Sequence, residues 1–466
     1  MITKYVVKTK LRNGQIALTN LLSAAIDVVD KDELASLENE DWNKLDLKYW
    51  TSRGYYFKSE EEERAEWNKI VDIVTSDDWL TPRGVIIIPT FNCNLRCTYC
   101  YQDDSIHTSP IRTKDVLSKD QLYAILETID SRPDTKRYLT AVLCGGEPLM
   151  PSCYDIVEEI LDQLEKRKIA TSIVTNGLTL TEAIDKFLNR FKNIENIQVT
   201  LDGPEIVHNK LRPLRKGEGS FRNIVSGIEQ SLNKMTNTRI SVRSNINTKD
   251  PNSLSGIKAL HDYYSKRGWY DHKNFFPRVS PRWEYERHGC YAAECKKNFT
   301  SDFRRIAEYY KENFPLEVQI RWGIAFFWQR DFLLSQVFGT NPVLPKVKSC
   351  LATTEGSYVF GPDSKIYSCW EDIGVVKEAI GEYYPKWSIN KENYSLWKGR
   401  SKLTVEDCKN CKFIFACGRC QATARNLHND INTKGCVNPE EEEELLKYIL
   451  PNLLNSYEVS GQSDLK

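Results

Sequence analysis

Cys93, Cys97 and Cys100 are the residues whose type and spacing most clearly imply chemistry, three thiols within the segment FNCNLRCTYCYQ. A second set, Cys350, Cys369, Cys408, Cys411, Cys417, Cys420 and Cys436, lies toward the C-terminal end, and Cys144, Cys153, Cys290 and Cys295 complete the fourteen cysteines. The opening MITKYVVKTK lacks the apolar core of a signal peptide and no later run is long enough to span a bilayer, so the expected location is cytoplasmic, with no membrane partner. A reducing cytosol disfavours structural disulfides and leaves grouped thiolates free to bind metal. Two metal chemistries then compete. Zinc takes four sulfur or nitrogen donors, whereas three thiolates on a four-iron cube leave one iron open to an outside ligand. Cys144 and Cys153 stand alone in sequence and are expected to be buried structural thiols. The balance of 64 basic and 64 acidic residues gives no electrostatic reason to expect a nucleic-acid partner.

The elements that must position these residues follow from hydrophobic periodicity. From Gly84 onward, short Val/Ile/Leu-rich runs alternate with amphipathic segments, the pattern of βα units on a parallel sheet. Six strands are predicted, at Val85 to Pro89, Leu139 to Cys144, Thr171 to Thr175, Ile197 to Leu201, Ile240 to Asn245 and Phe275 to Val279. Six units are too few for a closed eight-stranded barrel, so the expected fold is α/β, a partial (β/α)6 TIM barrel with an open side. Loops at the C-terminal ends of such strands carry the chemistry. The first cysteine group follows the first strand, Gly145-Gly146-Glu147-Pro148 the second, Thr175-Asn176-Gly177 the third and Leu201-Asp202-Gly203 the fourth, while Asn245 ends the fifth. Each of these polar residues would serve equally as a helix cap or turn residue. Before the barrel, Tyr5 to Lys10 and Gln15 to Leu18 read as strands joined through Asn13-Gly14, a strong hairpin signal, with a third strand within Ala24 to Val29. Helices and a short strand at Gly54 to Phe57 follow. The expected domains are an N-terminal α+β domain (1–80), the barrel (81–314), a cysteine-rich domain (315–437) and a C-terminal helix and tail (438–466), whose acidic run Glu440 to Glu444 should open a solvated helix.

The CxxxCxxC spacing with Tyr99 before the last cysteine, and the GGEP element after the second strand, resemble the radical S-adenosylmethionine (SAM) superfamily. The resemblance implies a [4Fe-4S] cluster on Cys93, Cys97 and Cys100, with SAM on the open iron and reductive cleavage to a 5′-deoxyadenosyl radical. It further implies that Gly145, Gly146 and Glu147 bind the SAM ammonium, that Asn176 and Asp202 line the SAM or substrate side, that Asn245 reaches the ribose or carboxylate, and that Tyr99 packs near the adenine. Residues 350 to 436 resemble the SPASM extension, which generally carries two auxiliary four-iron clusters, making three [4Fe-4S] clusters in all. Cys408, Cys411, Cys417 and Cys436 match the second auxiliary cluster, and Cys350, Cys369 and Cys420 match three ligands of the first. Two departures loosen the match. Only Gly418 and Arg419 separate Cys417 from Cys420 where the family usually has three residues, and Ser364 stands where a glycine is common. Zinc remains the competing reading of the CxxC pair. A fourth ligand to the first auxiliary cluster would come from Cys290 or Cys295, or else its open iron would bind a substrate thiolate.

Such enzymes mature ribosomally made precursor peptides, leader plus core, with a reductant such as flavodoxin or ferredoxin. The resemblance thus implies a thioether or carbon–carbon crosslink as product. The N-terminal domain is similar to the peptide-recognition domains fused to these maturases, which bind a leader as an added strand, though it would serve equally as a cap on the barrel. A second enzymatic reading is anaerobic sulfatase maturation, which oxidises cysteine or serine to formylglycine. There an aspartate follows the cysteine matching Cys369, whereas here that residue is Trp370, with Glu371 and Asp372 next to it. A non-catalytic iron–sulfur carrier or scaffold is the third, and it has no use for a SAM-binding GGEP element.

Overall fold

The computed structural model describes residues 1–11, 13–76, 83–100, 102, 116–131, 139–282, 285–286, 290–291, 299–315, 318, 323–324, 347–348, 350–417, 420–428, 430–436, 440, 442–444, 446–447 and 450–451. Two compact units account for the chain, Met1–Leu80 with Phe326–Cys350 and Arg400–Lys466, and Thr81–Ala325 with Leu351–Gly399. Cys295 lies outside the described residues.

The first unit opens with an antiparallel sheet of β1 (Val6–Lys10), β2 (Ile16–Asn20) and β3 (Ile26–Val29) in that order, so β1 and β3 are its edges. Gly14 takes φ 89° in the β1–β2 turn, a left-handed conformation that glycine adopts without a Cβ clash. Three helices follow, α1 (Lys31–Glu38), α2 (Leu47–Ser52) and α3 (Glu60–Thr75). Asp30 starts α1 through a capping box with Glu33, and Ser59 caps α3. Leu18, Ala25, Val29, Leu37, Trp50 and Tyr55 form the core between sheet and helices. The expected strand at Gly54 to Phe57 is reduced to one antiparallel bridge, Ile2 with Tyr56, flanked by backbone bonds from Thr3 N to Tyr55 O (2.9 Å) and from Phe57 N to Met1 O (3.0 Å). Farther on, Glu442, Leu446 and Leu450 are buried at helical spacing, so the acidic run is not fully solvated but packs one face.

In the second unit the six predicted strands are all present, as β4 (Arg83–Ile87), β5 (Leu139–Leu143), β6 (Ala170–Thr175), β7 (Ile194–Thr200), β8 (Arg239–Ile246) and β9 (Phe275–Pro281), each parallel to the next. Helices α4 (Lys119–Asp130), α5 (Tyr154–Lys166), α6 (Leu180–Lys186), α7 (Glu205–Leu211), α8 (Phe221–Lys234) and α9 (Pro251–Lys266) alternate with them. The α/β partial barrel is therefore present. Beyond β9 come a small antiparallel pair, β10 (Tyr285–Glu286) with β11 (Cys290–Tyr291), and β12 (Gly323–Ile324), which pairs parallel with β9.

The other edge of this sheet extends past β4. β13 (Tyr358–Phe360) pairs parallel with β4, and β14 (Lys365–Tyr367), β15 (Gly381–Glu382) and β16 (Ser388–Ile389) continue antiparallel. The order runs from β12 to β16 over eleven strands without closing. Ser364, in the β13–β14 turn, takes φ 64°, the conformation for which a glycine is better suited. Its hydroxyl accepts a 2.9 Å bond from Gln121 Nε2 on α4, which helps to hold it there. Cys144 packs in a core with Ile86, Ile88 and Phe91, and Cys153 is fully buried, as expected of structural thiols. Among the described residues, no helix is long and apolar enough to cross a membrane.

Candidate functional site

The cysteine loop after β4 is held by backbone contacts to two other loops. Arg96 and Thr98 donate backbone N–H bonds to the carbonyls of Pro213 (2.9 Å) and Leu211 (2.9 Å), and Arg215 donates to that of Asn94 (3.3 Å). On another side the GGEP loop presses against it, Gly146 N donating to Thr90 O (3.1 Å) and Glu147 N to Asn92 O (2.7 Å). A Cβ on Gly146 would lie 2.1 Å from Asn92 O, so this approach requires glycine.

Cys93, Cys97 and Cys100 are each half-buried. The Cys93 sulfur accepts from Leu95 N (3.5 Å) and Asn176 Nδ2 (3.7 Å), and Asn176 Nδ2 also donates to Asn94 Oδ1 (2.7 Å). Asn176 thus ties the third strand end to the cysteine loop. Burial, reinforced by the Glu147 charge, pushes the Cys93 thiol up to about 11. A thiol so disfavoured as an anion is a poor nucleophile by itself, but a bound cation would deprotonate it.

Glu147 is 1 % exposed. Its Oε1 accepts from Thr175 Oγ1 (2.6 Å) and Leu149 N (2.9 Å), and its Oε2 from Asn176 N (2.6 Å). A carboxylate has about four acceptor positions, so roughly one is left over. Burial raises its pKa, and among the described residues no cation forms an ion pair with it. The group is suited to receive a cationic ligand.

Asp202, Tyr99 and Asn245 converge with Arg212, which the sequence reading did not single out. Tyr99 donates its hydroxyl to Asp202 Oδ2 and accepts from Arg212 Nη1 (2.7 Å) and Asn245 Nδ2 (3.2 Å). Asp202 Oδ1 accepts from Asn245 N (2.8 Å) and Nδ2 (3.1 Å), and Arg212 Nη1 lies 3.7 Å from Asp202 Oδ2. Burial opposes the Arg212 charge, but Cys97, Tyr99 and Asp202 outweigh it and hold the guanidinium above its ordinary range. Its Nε is buried and, among the described residues, has no hydrogen-bond partner. No spacing rule marks Arg212, which sits one residue past α7 in HNKLRP; the only sequence signal is a basic residue in the loop after a barrel strand.

His208, fully buried, accepts from Asp202 N at Nδ1 (3.2 Å) and shares a 3.0 Å bond between Nε2 and Ser220 Oγ. Burial lowers its pKa from 6.5 to about 4. Because the unfolded chain binds this proton more tightly, the stabilising contribution of neutral His208 is complete above pH 6.5 and is lost as pH falls toward 4. At about 1.36 kcal/mol per pKa unit this is on the order of 3 kcal/mol. Thermal unfolding between pH 4 and 7 is expected to show a shallower slope in His208→Gln than in the natural chain, and equal slopes would refute it.

The C-terminal cysteines divide between the units. Cys350, Cys408, Cys411, Cys417, Cys420 and Cys436 belong to the first and Cys369 to the second. Cys420 is exposed, Cys369 is buried, and the others are half-buried. Cys290 lies in β11. Cys411 N donates to Cys408 O (3.2 Å), the tight turn a CxxC pair makes, and Phe413, Ile414, Phe415 and Ala416 are buried after it. Burial raises both the Cys408 and the Cys411 pKa. Among the described residues, no three His, Cys, Asp or Glu side chains converge closely enough to hold a single metal ion. A four-iron cube keeps its ligand sulfurs farther apart than one zinc ion does, since each iron takes one of them.

Residues 87–247 match the family model of the radical SAM superfamily. The chain is 27% identical over 340 residues to the cysteine-type anaerobic sulfatase-maturating enzyme of Clostridium novyi (strain NT), covering 70% of this chain and 84% of that one. Its fold is similar to that of anSMEcpe with bound AdoMet and Cp18Cys peptide (TM-score 0.56, 20% identity, 81% of this chain and 99% of that one). It is also similar in fold to Streptococcus suis SuiB bound to precursor peptide SuiA (TM-score 0.52, 14% identity, 94% and 100%). The donor set fits the group this family uses. Three half-buried thiols share one loop, Cys93 beside amide donors, and among the described residues a buried carboxylate has no ion-pair partner and a buried guanidinium has an Nε without a hydrogen-bond partner. On the family match and the sequence relatives together, this chain belongs to the radical SAM superfamily and is an enzyme related to the anaerobic sulfatase-maturating enzymes.

Proposed function

We propose that the chain is a peptide maturase that joins two residues of a ribosomally made precursor through a thioether or carbon–carbon bond. In this reading Cys93, Cys97 and Cys100 hold the [4Fe-4S] cluster, and Cys408, Cys411, Cys417 and Cys436 hold an auxiliary one. The assignment of Cys350, Cys369 and Cys420 to a third cluster rests on the resemblance of their spacing. When bound, the cluster and SAM supply the radical that abstracts a substrate hydrogen. The observation that carries the reading is the opposed pair of buried charges on the loops around the cysteines. Glu147 offers its remaining acceptor position to an ammonium and Arg212 its free Nε to a carboxylate, which together suit the zwitterionic end of SAM. Asn176 steadies Cys93, while Asp202 and Asn245 fix Tyr99 and Arg212. Gly145 and Gly146 let the GGEP backbone approach the cysteine loop.

A peptide substrate is supported by relatives of this fold that carry peptides, and by the two sheet edges of the N-terminal unit, β1 and β3, either of which suits an added leader strand. Flavodoxin or ferredoxin would supply the electron, and the reducing cytoplasm suits thiolate-bound iron. Formylglycine formation is the second reading, favoured by the sulfatase-maturating relatives, but an exposed Trp370 stands beside Cys369 in place of a carboxylate base. Coexpression with short peptides encoded beside the gene, followed by mass spectrometry, separates the two. A crosslink removes two hydrogens and joins two residues, so fragmentation between them is suppressed; formylglycine removes two hydrogens from one residue, with exchange of sulfur for oxygen where that residue is cysteine, and leaves an aldehyde that a hydrazide traps, a result that would overturn the crosslink reading.

A further inference from the structure

The segment just before the CxxC pair buries two cations, Arg400 and Lys402, each 4 % exposed. Lys402 Nζ donates to the carbonyl of Cys417 (2.7 Å). Arg400 Nη2 donates to Thr433 O (2.9 Å) and its Nε to Ile431 O, in the segment that runs into Cys436. The stretches that carry Cys417 and Cys436 are thus anchored by these two side chains. Neither forms an ion pair with a carboxylate among the described residues. Burying an ammonium and a guanidinium is costly unless an anion lies nearby. Lys402 reaches the backbone of Cys417 itself and Arg400 the segment that leads to Cys436, so a negatively charged group held by these cysteines would be the counter-charge that the two cations lack.

We infer that Arg400 and Lys402 are positioning residues of the cluster on Cys408, Cys411, Cys417 and Cys436, and that their charges bias it toward its reduced form. The inference rests on the proposal above that these four cysteines bind a cluster. Four thiolates give such a cluster a net negative charge, and reduction adds one more unit. Two buried cations in a low-dielectric surrounding favour the more negative state and so raise the reduction potential. Hydrogen bonds from the same side chains to the ligand loops keep the sulfurs in place, as outer-shell partners do at metal sites. A cluster biased in this way suits an electron acceptor better than a structural clasp.

The test uses the full chain, reconstituted anaerobically with iron and sulfide, in a Cys93→Ala, Cys97→Ala, Cys100→Ala background that leaves only auxiliary clusters. An EPR-monitored redox titration follows the signal that disappears in Cys411→Ser. Lys402→Met and Arg400→Met are each expected to disfavour reduction about tenfold, a fall of about 59 mV for a one-electron couple. Lys402→Arg should stay close to the parent. Loss of the signal in Lys402→Met but not in Lys402→Arg supports the positioning role directly. Unchanged midpoints in both methionine variants, or Lys402→Arg behaving like Lys402→Met, overturn the inference although the cluster is present. An iron content indifferent to Cys411→Ser overturns the cluster assignment and the inference with it.

Discussion

Cys97→Ala is expected to reduce 5′-deoxyadenosine formation from SAM and dithionite to the level of a protein-free control. Of the three loop cysteines, Cys97 lies between the other two, half-buried, and its thiol is among the groups that sustain the charge of Arg212. A four-iron cube with one protein ligand removed from three loses its hold on the loop, and roughly four irons per chain should be lost with it. Fold stability should change little, since a half-buried thiol leaves little cavity behind. Far-UV circular dichroism and unfolding temperature control for this. Deoxyadenosine formation that survives at parental rate in a folded Cys97→Ala would remove the cluster from this loop. An iron content of about twelve in the parent, falling to about eight, would count three clusters at the same time.

Glu147→Ala should be the most damaging single change outside the cysteines. It strands the backbone N–H groups of Leu149 and Asn176, and the hydroxyl of Thr175, in a buried place. At about 1–3 kcal/mol for each of these three unsatisfied buried donors, the loss is on the order of 3–9 kcal/mol, a large fraction of a domain's stability. Glu147→Gln separates the structural effect from the ligand effect. Its amide keeps the size and one acceptor oxygen but turns an NH2 toward an N–H donor, so the fold should lose about 1–3 kcal/mol. Its SAM affinity should fall by tenfold or more, because the counter-charge is gone. The pH dependence carries the sign. Burial raises the carboxyl pKa, so SAM binding should weaken as pH falls through that raised value, where Glu147 becomes neutral. In Glu147→Gln this dependence should disappear. Equilibrium dialysis of SAM against both proteins across pH decides the matter, and equal affinity for the two would exclude Glu147 as the cation's partner.

The division between what was readable in the sequence and what was not follows from the range over which each feature acts. Cys93, Cys97 and Cys100, the GGEP element and the six barrel strands are local: ligand spacing in one loop and a short apolar run express themselves within a few positions. The turn at Asn13-Gly14 is local too. By contrast, Arg212 meets Tyr99 across 113 positions, and Asn245 meets it across 146. Nothing near Arg212 in the chain distinguishes it from an ordinary basic residue past a helix end. Only the parallel sheet, which brings successive strand ends to one mouth, makes it part of the site. Gly84 N donates to Ser357 Oγ, 273 residues away, where β13 extends the barrel sheet beyond β4. Arg400 and Lys402 likewise show their role through burial, a property of packing that composition does not reveal. The sequence by itself determined which ligands and strands exist, because those depend on neighbours in the chain; the tertiary structure decided which distant charges and amides stand around them, because burial and charge pairing depend on neighbours in space.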